Sequence, residues 1–209
     1  SEPIIGFKAG GTALPVMKKL KEKEPFYASV YKRNFLKSGS KVKITKYTLG
    51  IELEVCYFLK KNFFDFKKKI SKNNIKKFIN YIAPCIEVVG YRQKKKGIKS
   101  FGDLCSDFGA NVKFINYIAP CIEVVGYRQK KHGIKSFGDL CSDFGANVKF
   151  IIGPRKKFRN NNVKNLKTNI SNSKIKQSVN GNTNTVYINP MNSLLFVLKK
   201  LQKDKVKHG

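Results

Sequence analysis

The chain has no tryptophan, two histidines and two methionines, and only 13 of its 209 residues are acidic. With His132 and His208 as its whole histidine complement and no Cys-x-x-Cys, it offers no ligand set for a zinc site or a haem attachment. The glycines of GFKAGG are not followed by Gly-Lys-Ser/Thr, which excludes a phosphate-cradling nucleotide loop. No apolar run approaches the length of a membrane span, so no membrane partner is expected. The opening SEPIIGFKAGGT has neither the basic region nor the apolar core of a signal peptide. It starts without Met, almost directly on an apolar segment, and part of the N-terminus is expected to be missing. Five cysteines (Cys56, Cys85, Cys105, Cys121 and Cys141) are expected to be reduced thiols in a cytoplasmic protein.

What is abundant is lysine. The net charge is +30, with 38 Lys among the 43 basic residues and 19 Asn. One reading is phosphate neutralisation on nucleic acid or an anionic surface. The other is a lysine-biased coding background, since Lys and Asn share A/T-rich codons. The aromatics are not interleaved with Arg and no nucleic-acid motif appears, so nucleic acid is not the expected partner. The 41% hydrophobic and 12% aromatic content is that of a globular domain.

Residues 77–112 and 113–148 are the same 36 residues with one substitution, Lys96 against His132. Natural solenoid repeats diverge outside their framework positions. This near-identity points instead to a recent tandem duplication, or an artefact of assembly, in a single-copy domain spanning 1–209. KFI recurs at 77–79, 113–115 and 149–151, a short match that lets copying slip by one unit. The extra unit brings an apolar CIEVV strand with no evident partner, so self-association into a homo-oligomer is expected there.

PIIGFKAGG reads as a buried strand running into a glycine turn, and residues 13–23 as a short helix that tolerates Pro15 in its first turn. EPFYASVYKRNFLKSGSKVKI is expected to contain a loop closed by Ser38-Gly39-Ser40. YTLGIELEVCYFLKK reads as a strand with partial alternation. Residues 64–82 fit an amphipathic helix with Ile75, Phe78 and Ile82 on one stripe, ended by Pro84, after which CIEVVGY is a strand. KFIIGP is another short strand, and the basic 155–185 region is expected to form a hairpin. Asn189 caps a helix over 190–204, with Pro190 at its first position.

Because acids are scarce, three carboxylates stand out. Glu52 and Glu54 sit two apart on one strand and therefore on one face; Glu87 lies within the otherwise apolar CIEVV, and Glu123 is its duplicate. Like charges on one half-buried face cost several kcal/mol unless neutralised. A divalent cation with a preference for hard oxygen ligands would neutralise them. A solvated sheet face beside lysines is the competing reading. Lys8, just inside the strand–turn with Gly6, Gly10 and Gly11 around it, can reach an anionic substrate, and burial would lower its pKa. An ordinary surface lysine is the alternative.

The ordered series IGFKAGGTA, GIELEVCYFL, INYIAPCIEVVGYR, FGDLCSDFGANVKFIIG and INPMNSLLFVLKKL resembles the 2-keto-4-pentenoate hydratase family. That family lies in the fumarylacetoacetate hydrolase superfamily and includes the 4-oxalocrotonate decarboxylases. The resemblance covers nearly the whole chain once one repeat copy is removed, and its most specific part is the E-x-E strand followed by a P-x-I-E strand. It implies a mixed α+β fold: a rolled, sandwich-like β-sheet core of the superfamily's C-terminal-domain type, flanked by helices. It implies Mg²⁺ or Mn²⁺ held by Glu52, Glu54 and Glu87 (or Glu123), with Lys8 as the catalytic lysine beside a 2-oxo acid. Where the family writes D-S-R, this chain has Gly90-Tyr91-Arg92, which leaves Arg92 and its duplicate Arg128 as substrate-side cations. Where the family has an acidic residue and a Gly near EPFYASVY, this chain has Phe26 and Ala28. The implied activity is addition of water to a 2-hydroxy-2,4-dienoate or 2-oxo-4-enoate in meta-cleavage aromatic catabolism. The alternatives are a 2-oxo acid decarboxylase of the same family, a non-catalytic basic protein binding nucleic acid or anionic surfaces, and an inactive fragment. Between the two copies, Glu87 is expected to complete the site, because the helix-like segment precedes it. A hybrid with the second copy's exit strand would satisfy both junctions.

Overall fold

The computed structural model describes residues 2–19, 23–43, 48–90, 147–159, 163–172, 176–187 and 189–206. Nine strands and two α-helices are the named elements among them. The longest two strands, β4 (Thr48–Leu59) and β5 (Ile79–Gly90), form an antiparallel ladder. β6 (Asn147–Ile152) pairs antiparallel with the other edge of β5, and β3 (Phe35–Lys37) adds parallel to β6. The sheet order is therefore β3-β6-β5-β4, with the short β7 (Lys156–Lys157) also on β5. β1 (Ile4–Gly10) and β2 (Phe26–Tyr31) make a separate antiparallel pair, joined through α1 (Leu14–Lys19). β8 (Lys167–Asn172) and β9 (Gln177–Asn182) form a hairpin, and α2 (Pro190–Lys203) closes the described chain. This is a mixed α+β architecture, as the sequence implied.

β5 comes from the first repeat copy, while β6 carries the last two residues of the second copy and the single-copy exit. The two ladder together directly, so the sheet is built from one junction of each copy.

Alternation divides the long strands between two apolar clusters. Cys56 and Phe58 pack with Ala83, Cys85, Phe150, Ile152 and Val30 on one side. Tyr57 turns to the other side and joins Phe7, Ala9, Phe63, Phe78 and the apolar stripe of α2, including Leu194, Val197, Leu198 and Leu201. Period 2 in the strand and period 3.6 in the helix thus meet in the same core. α2 starts as its sequence signals: the Asn189 side chain accepts from the Met191 N–H at 2.9 Å, with Pro190 at the first helical position.

Three expectations are corrected or extended. Residues 64–82 are not an amphipathic helix; Lys61–Phe63 and Ile75–Phe78 are short 3₁₀ turns, and β5 already begins at Ile79. Ile75 and Phe78 are buried as expected, but spacing of i, i+3 serves a 3₁₀ turn as well as an α-helix. Nor does Pro84 end anything, because β5 runs through it. Its carbonyl accepts from Gly153 N–H at 2.8 Å just beyond the end of β6, and the reciprocal bond that a Pro cannot donate falls between the β6 and β7 pairings, where the ladder ends. The stretch expected to hold a loop also contains a strand, β2, before its Gly39 turn, where φ is +81°.

Candidate metal centre

Register builds the site. In the β4–β5 ladder Glu52 stands directly opposite Glu87, and Glu54 lies two residues along β4 on the same face. One carboxylate oxygen from each of the three can lie within 4.8 Å of the others. Glu54 and Glu87 are buried and Glu52 is half-buried, so the cluster is open on the Glu52 side. The competing reading of a solvated sheet face does not hold for Glu54 and Glu87.

β1 brings the fourth group. Lys8 Nζ donates to Glu87 Oε1 at 2.5 Å, with side chains only 4% and 0% exposed. The ammonium also lies 5.9 Å from the centre of the Phe150 ring, and Phe150 is the β6 residue opposite Glu87. Lys8 is therefore not an ordinary surface charge. In the β1–β2 register Lys8 faces Ala28, Gly6 faces Val30 and Gly10 faces Phe26. Alternate residues share a face, so Gly6, Lys8, Gly10, Phe26, Ala28 and Val30 form the side turned toward the carboxylates, and Lys8 is its one titratable group. Gly10 is required there: a Cβ would stand 2.3 Å from the Phe26 ring.

Three carboxylates and one ammonium sum to −2, which a divalent ion would cancel. Burial also sorts the donors. The Cys56 thiol is pushed up to about 12 by burial, with Arg155 opposing and the Glu54 charge adding to the rise. Burial likewise raises the Cys85 thiol, reinforced by Cys56, Glu54 and Glu87. The ligand atoms that come together are those of three glutamates, with no cysteine in the group among the described residues, so the donor set is all oxygen. Such a set suits Mg²⁺ or Mn²⁺ rather than a thiolate-preferring metal. The residues present fit the ion.

Of the residues singled out from the sequence, Lys8, Glu52, Glu54 and Glu87 come together. Glu123, Arg92 and Arg128 lie outside the described residues. Sequence reasoning noted Phe26 only as a departure from the family pattern, without a place in the site, and missed Phe150. The period-2 set Phe26, Ala28, Val30 within FYASVY was the available signal for the first. For Phe150 there was none, since its place beside Glu87 depends on long-range register.

No family model matches the chain, and no curated protein matches it. Solved structures do. The chain is similar to 4-oxalocrotonate decarboxylase from Pseudomonas putida G7 complexed with magnesium and adipate, at TM-score 0.65 and 15% identity, covering 100% of this chain and 66% of that one. A second structure of that enzyme, with calcium and acetate, gives TM-score 0.65 and 14% identity, over 100% and 65%. The likeness is one of fold, and the chain spans about two thirds of the length of these structures.

Proposed function

We propose that the chain is a divalent-metal-dependent enzyme acting on 2-oxo acids, with Glu52, Glu54 and Glu87 as the ligands of Mg²⁺ or Mn²⁺ and Lys8 as the catalytic lysine. The observation that carries this reading is the buried cluster of three carboxylates with an ammonium bonded to one of them. The fold likeness to an enzyme solved with magnesium supports it. A bound ion would supply Lewis-acid polarisation to the carboxylate–carbonyl end of a 2-oxo acid. The rest falls to the chain's own side chains. Lys8 holds a proton at Nζ, 2.5 Å from Glu87, where it can be given to or taken from a reacting carbon or oxygen. Phe26, Phe150 and the apolar faces behind them keep bulk water from the Lys8–Glu87 side, while half-buried Glu52 marks the side open to substrate and water.

The favoured reaction is hydration of a 2-hydroxy-2,4-dienoate. Ketonisation moves a proton from the enol oxygen to carbon, and water then adds across the remaining C=C to give a 4-hydroxy-2-oxo acid. The fold belongs, on this reading, to the fumarylacetoacetate hydrolase C-terminal-domain type. A second reading, decarboxylation of a 2-oxo acid, is favoured by the name of the solved enzyme.

Thermal unfolding with and without millimolar Mg²⁺ tests the site. At about 100 times Kd the ion should stabilise by about 2.7 kcal/mol, and the gain should vanish in Glu52→Gln/Glu54→Gln. No ion-dependent shift in the unsubstituted chain would sink the metal reading. With the site established, a product heavier than the dienoate by one water identifies hydration, and released CO₂ identifies decarboxylation.

A further inference from the structure

From the arrangement of its exposed lysines we infer that the chain carries a second binding surface, remote from the carboxylate cluster, that takes the phosphodiester backbone of nucleic acid. The surface is made by the segment that follows β4 and by the C-terminal turn of α2. Between Lys60 and Lys77 the chain places eight exposed lysines against one acid, Asp65. The helix adds Lys199, Lys203 and, just past its end, Lys205, all exposed.

Gln202 holds the two pieces together. Its Nε2 donates to Phe66 O at 3.1 Å and to Lys68 O at 2.8 Å, and its Oε1 accepts from Ile70 N–H at 3.2 Å. The Lys67-Lys68-Lys69 run is thereby fixed beside Lys203, the next residue of the helix, where the negative end of the helix dipole favours cations. Of the acids nearby, Asp204 lies between Lys203 and Lys205 and accepts from the Tyr27 hydroxyl, and Glu24 pairs with Lys200 at 2.9 Å, so lysines outnumber carboxylates on this face. Among the described residues, Lys200 is the one lysine of this face in an ion pair with a carboxylate.

The apolar side chains of the segment are buried or, for Phe64 and Phe66, half-buried against the core. Phe63, Ile70, Ile75 and Phe78 are core residues, and Lys77 lies over the Phe66 ring at 4.4 Å. Among the described residues the exposed large hydrophobics, Leu14, Ile51, Leu166 and Val179, are all elsewhere. A surface with dense positive charge and no apolar anchor lacks what stable membrane attachment adds to charge. It has what a polyphosphate backbone rewards, which is many cations at short spacing that displace condensed counterions. Glu52 lies near the middle of β4 and Lys60 just past its C-terminal end, about 25 Å apart at the rise of a strand, so the two surfaces are separable.

The test uses the full chain, a Lys67→Gln/Lys68→Gln/Lys69→Gln/Lys203→Gln variant, and a control with Lys18, Lys37, Lys41 and Lys43 changed to Gln, which are equally exposed. Anisotropy of labelled duplex DNA and of single-stranded RNA is followed against salt, with anionic phosphatidylserine vesicles as a third probe. Removing four backbone contacts should lower the log–log salt slope by about 3 and weaken binding at least ~10-fold on both nucleic acids, while the control stays within about twofold of the parent. A larger loss on duplex than on RNA, or the reverse, identifies which backbone the face prefers. Equal losses in both variants, no nucleic-acid binding in the parent, or binding to vesicles alone overturns the inference. Unchanged melting temperatures and an unchanged Mg²⁺ shift in the variant separate this outcome from failure of the metal site.

Discussion

β4 meets charge of two kinds, at its middle and just past its C-terminal end. Around Glu52 and Glu54, carboxylates and one ammonium are buried or half-buried, brought together across strands and held to a few ångströms. Beyond the Leu59 end, lysines are exposed and mostly unaccompanied by acids. The same strand thus separates charges whose value lies in geometry from charges whose value lies in number. Burial is the difference. In a dry site a single misplaced charge costs several kcal/mol, whereas in water one lysine more or less is nearly neutral.

The largest expected effect comes from breaking the buried pair. Lys8→Met leaves Glu87 without its ammonium beside two further carboxylates, and should destabilise the metal-free chain by about 3–5 kcal/mol in urea unfolding. Replacing both partners, Lys8→Met with Glu87→Leu, should recover most of that loss, because the penalty belongs to the unaccompanied charge. A single substitution no more harmful than a surface change would erase the distinction between the buried and the exposed charges.

Tyr57, three residues beyond Glu54 on the opposite face of β4, gives a smaller effect of opposite sign. Its hydroxyl is fully buried without a hydrogen-bond partner among the described residues. Tyr57→Phe should therefore stabilise by about 1 kcal/mol at neutral pH. Burial also raises the Tyr57 hydroxyl well above its ordinary 10.0. A raised folded-state value means that the stabilisation is whole below pH 10 and is lost as the pH climbs past it, where the unfolded tyrosine ionises first. The parent should lose up to about 1.4 kcal/mol per pH unit from this group above that point. The Phe variant should lack that part of the alkaline slope, so chemical denaturation at pH 8 and pH 11 checks both effects.

Much of this is legible in the amino-acid sequence. The Glu-x-Glu spacing puts two carboxylates on one face whatever the register, and the N-capped helix after Asn189 needs only local rules. What local rules do not supply is context. Lys77-Phe78-Ile79 and Lys149-Phe150-Ile151 are the same tripeptide, yet Phe78 ends a 3₁₀ turn under α2 while Phe150 lies in a strand opposite Glu87. Nothing within the tripeptide distinguishes them; partners far along the chain do. The expected 64–82 helix fails for the same reason, since its apolar spacing is equally satisfied by turns that deliver Ile75 and Phe78 to the core. Lys8 is visible as a candidate, but its bond to Glu87 requires two sheets to be brought together, which no spacing encodes.

The smallest effect sharpens the comparison from the exposed end. Lys67→Gln/Lys68→Gln/Lys69→Gln removes three positive charges from a chain whose net charge is +30. No ion pair among the described residues is broken by this change, so the loss expected of a buried charge has no source here. What remains is self-repulsion among neighbouring lysines, which opposes folding and is relieved by the substitution. Urea unfolding at low ionic strength should show a gain of at most about 0.5 kcal/mol. Raising the salt to about 0.5 M shortens the screening length to a few ångströms and should abolish even that. A loss of about 1 kcal/mol or more, persisting in high salt, would mean that these lysines hold the 60–78 segment in place through packing of their stems. Their clustering would then belong to the fold, and the buried and exposed charges would differ in degree rather than in kind.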